Sequence, residues 1–172
     1  MKRYLAIAAT LLTLGAVAVG CGGTEALSAE EYFNRLEAIA NETQEKESAA
    51  QPSEEDSASL TPDEVKERGA KFLNSSAAIN EDALKKVEDL KPPDDLQEAH
   101  GRLVAAEDDM AKRFRDFAAE VRDIPPEDVE DFFNSQVFVE STFADFDAAC
   151  SALQDLADDK DIDVDLSCEP EG

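Results

Sequence analysis

Tryptophan is absent from this chain, histidine occurs once, tyrosine twice, and basic side chains are scarce, 16 against 41 acidic ones. Each shortage removes a class of function. A net charge of −25 repels phosphate backbones, which excludes nucleic acid as a partner. It equally opposes an anionic lipid surface, so membrane attachment cannot come from a basic patch. The di-iron bundle pattern needs Glu-x-x-His on two helices, but Gln97 stands three places before His100 and no second histidine exists. No Gly-x-Ser-x-Gly, His-Glu-x-x-His, phosphate loop or dinucleotide fingerprint occurs. With one histidine and no activated cysteine, nucleophilic catalysis lacks its usual parts. The expectation is a protein that is not an enzyme and needs no cofactor.

Long apolar runs are also missing, except at the N-terminus. Lys2 and Arg3 precede an uncharged stretch from Leu5 to Gly20, the basic and apolar regions of an export signal. It is short for a span of about 20 apolar residues and ends in the helix breakers Gly20, Gly22 and Gly23. Val19-Gly20-Cys21 resembles the lipobox of bacterial lipoproteins, with Ala18 where that pattern usually has Leu. The resemblance implies cleavage between Gly20 and Cys21 and a diacylglycerol with palmitate-like chains on the Cys21 thiol. Two acyl chains give stable anchoring where one is marginal. Residues 1–20 are then a removed leader and residues 21–27 a tether, placing the protein on the extracytoplasmic face of a bacterial membrane.

The remaining chain, about 150 residues, suits one domain with one core. With Cys21 assigned to lipid, Cys150 and Cys168 are left, and an exported compartment permits a disulfide between them. Helix starts recur at Pro62-Asp63-Glu64, Pro93-Asp94-Asp95 and Pro126-Glu127-Asp128, with Ala29-Glu30-Glu31 as a weaker fourth. Proline at the first helical position loses no hydrogen bond, first-turn acids suit the helix dipole, and Ser28 and Thr61 can cap. The recurrence reads as shared capping grammar rather than an internal repeat.

From each start an apolar stripe runs at heptad-like spacing. These are Tyr32, Leu36 and Ile39; Val65, Phe72, Ile79, Ala83 and Leu90; Leu96, Leu103, Met110, Phe114, Phe117 and Val121; and Val129, Phe133, Val137, Phe143, Phe146, Cys150 and Leu153. Four such helices with short Pro-Pro connections predict an all-α, mostly antiparallel four-helix bundle over residues 28–158. Residues 44–59, rich in Glu, Ser and Ala, predict a flexible acidic loop. Residues 159–172 form an acidic tail in which Ile162, Val164 and Leu166 alternate, an extended segment folded back and stapled by Cys168 to Cys150. Asp159, Asp161, Asp163 and Asp165 are not a calcium loop, because the glycine and glutamate an EF-hand requires are absent.

Thr43, Ser76, Glu107 and Glu140 fall at the same offset from their helix starts, on the core-facing stripe. Helical drift of about 20° per heptad turns both glutamates to the surface beside basic partners. The alternatives are a buried polar layer that fixes register, and a cation or ligand site in which two carboxyls cannot both ionise cheaply. As metal ligands, Glu107, Glu140 and His100 are weak candidates. His100 reads as a core-rim histidine bonded to a neighbour.

The segment Leu90-Lys91-Pro92-Pro93-Asp94-Asp95-Leu96-Gln97-Glu98-Ala99-His100-Gly101-Arg102-Leu103 is similar to one found in small, uncharacterised lipoproteins of actinobacteria and related bacteria. That resemblance implies a helical envelope protein and adds no activity. The functional expectation is a membrane-anchored binding or scaffold module whose acidic face selects a cationic protein or ligand. The alternative is a cation- or metal-binding envelope lipoprotein.

Overall fold

The computed structural model describes residues 26–51, 60–135 and 140–168, the side chains of 140–142 excepted. The leader, the Gly20–Cys21 junction, most of the tether, residues 52–59, residues 136–139 and the last four residues lie outside the described residues. Five α-helices are described: α1 (Ala29–Ala50), α2 (Pro62–Glu88), α3 (Gln97–Asp123), α4 (Val129–Asn134) and α5 (Glu140–Asp158). No strand occurs among the described residues.

The helix starts behave as their sequences require. Ser28 caps α1 by accepting from the Glu31 N–H. Thr61 and Glu64 close a reciprocal capping box, the carboxylate of Glu64 accepting from the Thr61 N–H at 2.8 Å, which satisfies two otherwise orphaned donors. At Pro93 and Pro126 the chain first makes a turn of 3₁₀ helix, Asp94–Leu96 and Pro126–Asp128, and only then continues as α3 and α4. The Leu27 N–H donates to the Lys91 carbonyl at 2.8 Å, so the chain enters α1 pinned to the α2–α3 connection.

α2 runs antiparallel to both neighbours. On one side Glu42 pairs with Lys86 and Lys46 with Asp82; on the other the Lys66 ammonium reaches the Ile124 carbonyl and Glu81 pairs with Arg115. The α3 stripe is buried as its spacing predicts, from Leu96 through Leu103, Met110 and Phe114 to Val121, with Phe117 partly exposed. On α2 the buried face is displaced from the predicted one. Leu73, Ser76, Ala77, Asn80, Ala83 and Val87 face inward, while Phe72 and Ile79 are only partly covered. Because α2 lies between α1 and α3, its buried arc is wider than a two-residue seam and admits polar positions.

Two further expectations are corrected. α1 continues through residues 44–50, which composition assigned to the loop; the alanines and glutamates there are good helix formers, and Lys46 ties the segment to Asp82. The fourth predicted helix is two helices. α4 ends at Asn134, and the following Ser135 is extended, its hydroxyl and N–H both turning back to the Phe132 carbonyl. Phe133 of α4 lies over Gly69 of α2 so closely that a Cβ would come within 2.5 Å of its ring.

After α5, Asp161 takes a left-handed conformation, φ 54°, that turns the chain back. Val164 and Leu166 are buried while Asp163 and Asp165 are exposed, so the predicted alternation holds. The Gln154 amide brackets the segment by donating to the Val164 carbonyl and accepting from the Leu166 N–H, each at 3.0 Å. The Cys150–Cys168 disulfide closes it, across a sequence separation of 18. A closed loop of that length restricts the unfolded chain by about 3 kcal/mol. Cys168→Ser is expected to lower unfolding free energy by roughly that amount, read as a lower urea midpoint; an unchanged midpoint would show that the staple contributes nothing.

Candidate functional site

The buried residues form two clusters. One, at the end where α1 begins, joins Tyr32, Phe33, Leu36, Val87, Leu103, Leu153 and the tail residues Val164 and Leu166. The other, at the far end, joins Leu73, Ala77, Met110, Phe114, Ala118 and Val121, with the aromatic rings of α4 and α5 against it. Between them α3 places Glu107, four residues after Leu103 and three before Met110, on the same face as both. Glu107 is therefore in the core, only 6 % exposed. The expected drift to the surface does not occur, because α2 and α5 cover α3 on two sides and its buried arc spans Ala106, Glu107, Met110 and Ala111.

A half-open cleft of about 630 Å³ lies over this layer. α1 supplies one wall with Leu36, Ile39, Ala40, Thr43, Gln44 and Glu47; α5 supplies another with Phe143, Phe146, Asp147, Cys150 and Leu153. Asn80 and Val87 of α2, Leu103, Glu107 and Met110 of α3, and Leu166 and Ser167 of the tail complete it. The α1 residues recur at three- and four-residue steps, one face of a helix. Most of the surface is hydrocarbon, and every charged residue on it is acidic.

Within the polar layer Asn80 is 1 % exposed and donates to Glu47 Oε1 at 3.1 Å and to the Ser76 carbonyl at 2.8 Å. The Thr43 hydroxyl donates to the Ile39 carbonyl. Glu107 Oε2 is buried without a hydrogen-bond partner, an arrangement that ordinarily costs about 1–3 kcal/mol. Burial pushes the Glu107 carboxyl up to about 7, and the negative Glu47 adds to the rise. Burial also raises Glu47, an effect the Asn80 hydrogen bond partly offsets. Lys46, next to Glu47 in the chain, and Lys86 bridge Glu42 and Asp82 on the outer α1–α2 surface.

Of the sequence-predicted residues, Thr43 and Glu107 both line the cleft, and Ser76 is buried, its carbonyl accepting from Asn80. The Glu140 side chain is outside the described residues. His100 sits two turns before Glu107 on α3, half-buried, sharing a hydrogen bond between Nδ1 and the Tyr32 hydroxyl at 3.2 Å. Burial lowers the His100 pKa and raises that of Tyr32 to about 12, so the pair is neutral at physiological pH. Among the described residues no three His, Cys, Asp or Glu side chains are grouped to hold a metal ion. Glu47, Asn80 and Asp147 were not anticipated. Glu47 continues the Leu36–Thr43 face by one more turn and Asn80 lies one turn beyond Ser76, so helical spacing carried the signal for both once α1 extends past Gln44.

The raised carboxyl has a consequence for stability. An acid whose folded pKa exceeds its ordinary value of 4.5 binds more protons in the native state between the two values, so stability falls as pH rises through that window. Glu107→Gln is expected to remove the fall. It should unfold with about 2 kcal/mol more free energy than the parent near pH 8 and about the same near pH 4. Parallel urea curves for the two proteins at both pH values would contradict the burial of this group.

Comparison with known proteins adds no relative: no protein family, curated protein or solved structure matches the chain.

Proposed function

We propose that this chain is a lipid-anchored binding protein on the extracytoplasmic face of a bacterial membrane, and that the cleft between α1 and α5 is where it binds. Residues 1–20 act as a leader, Cys21 carries the lipid, and α1, α2, α3 and the α4–α5 pair serve as the four rods of a mostly antiparallel bundle. The observation that carries the binding reading is the cleft itself: about 630 Å³, within the roughly 300–1,000 Å³ of small-molecule sites, apolar, and holding one buried carboxyl without a partner. The lining supports binding over chemistry. Among the described lining residues the one cysteine, Cys150, is closed in a disulfide, and no histidine is present to activate a hydroxyl.

The anchor reading draws on Val19-Gly20-Cys21 and on the direction in which the chain enters the domain. Ser28 caps α1 beside the α2–α3 connection, so the tether leaves from that end. At 1.5 Å per residue the α1 wall from Leu36 to Glu47 lies roughly 10–30 Å along the helix from there. A ligand would then be held clear of the headgroups.

Two measurements test the proposal. Cys21→Ser is expected to move the protein from the membrane pellet to the soluble fraction; retention in the pellet with normal leader processing would refute lipidation. Ala40→Trp fills the α1 wall of the cleft, and native mass spectra of the gently extracted protein should show a small bound species in the parent that the variant lacks. Identical ligand-free spectra would remove the cleft as a binding site.

A further inference from the structure

The cleft and its buried carboxyl together define a ligand more narrowly than size alone, a narrowing that rests on the cleft being the binding site. We propose that the cleft takes an amphiphilic organic cation, a hydrocarbon chain or ring bearing one protonated amine, with the ammonium group between Glu107 and Glu47 and the apolar body along Leu36, Ile39, Phe146 and Leu153.

Each class of ligand would satisfy a different part of this lining. A neutral apolar ligand fills the walls but leaves Glu107 Oε2 unbonded, as it already is. A fatty acid or other anion meets an acidic lining with no lysine or arginine among its described residues, and like charges in a low-dielectric site repel strongly. A metal ion would need several oxygen or nitrogen ligands, and no group of three acids, histidines or cysteines is assembled among the described residues. An ammonium supplies what is missing: N–H donors for Oε2 and positive charge for two neighbouring carboxyls. Its hydrocarbon body leaves water for the apolar walls, a gain that grows with the area covered.

Binding of this kind is linked to protons. The acidic groups that line the cleft with Glu107 are Glu47 from α1, whose charge acts on Glu107, and Asp147 from α5, with the neutral Asn80 from α2 and the neutral Leu166 and Ser167 from the tail among the other described lining residues. None supplies positive charge, so the empty cleft favours a protonated Glu107 and the ammonium favours the carboxylate. Each ligand bound at acidic to neutral pH therefore expels about one proton, and affinity rises with pH until Glu107 is ionised in the free protein as well.

The test compares phenylbutylamine, phenylbutanol and phenylbutyrate, which share one hydrocarbon frame and differ in head group, by calorimetry on the full chain in lipid nanodiscs with empty discs as blank. The amine is expected to bind at least about tenfold more tightly than the alcohol near pH 8 and to lose about tenfold near pH 5.5, with the acid not binding. Glu107→Gln should abolish the preference for amine over alcohol and its pH dependence, and Glu47→Gln should weaken it. If amine and alcohol bind alike, the cleft remains a binding site and the cationic class is wrong. If neither binds, the binding reading falls with it. Undiminished amine binding by Glu107→Gln would mark attraction to the acidic surface and overturn the assignment.

Discussion

Glu107 occupies a position that the spacing of α3 reserves for the core, and the organisation of the molecule follows from the cost of putting a carboxyl there. An ionised carboxylate cannot be closed over by hydrocarbon without a partner, and among the described residues no cation pairs with it. The apolar residues consequently separate into one cluster around Tyr32 and Leu153 and another around Phe114 and Val121. The helices approach over each cluster and leave the layer between them partly open. With Leu or Met at position 107, the two clusters would be one continuous seam.

The way α1 is held complements this division. Its first half is fixed by Tyr32, Phe33 and Leu36, while no residue after Leu36 on this helix is fully buried. The second half is held instead by ion pairs, Lys46 and Lys86 with Glu42 and Asp82, and by the Asn80–Glu47 hydrogen bond. Hydrogen bonds from Lys46 and then Lys86 pull the Asp82 carboxyl down to about 2, which keeps it charged, yet pairs this exposed contribute little and are screened by salt. The wall of the cleft that carries Glu47 is thus held chiefly by polar contacts at the surface.

Much of this was legible in the residues, and the failures have physical causes. The α3 stripe was readable because a long helix with uninterrupted apolar positions leaves little choice of face. The tail was readable because alternation of Ile162, Val164 and Leu166 has a period that no helix shares. The α2 face was legible in part: Ser76, Ala83 and Leu90 are buried as read, but Leu73 and Asn80 take the inward places sought one position earlier at Phe72 and Ile79. The end of α1 was missed because its last two turns are stabilised by charge pairs across to α2, which composition reads as solvated loop. Glu107 was located correctly on the stripe, but drift along one helix could not reveal that two neighbours would cover both its flanks. The break at Ser135 left no mark, since a serine that returns its hydroxyl to Phe132 resembles any other serine in a helix.

The disulfide carries a consequence for when the cleft exists at all. Cys150 and the tail residues Leu166 and Ser167 are part of its wall, and the tail is kept there by Gln154, by the Glu37 carboxylate accepting from the Asp165 N–H, and by the Cys150–Cys168 bond. With the thiols reduced, the tail is held by these hydrogen bonds and the burial of Val164 and Leu166 alone, without the covalent tie. Oxidation of the two thiols therefore fixes this side of the cleft, and ties the completeness of its wall to the redox state around the chain.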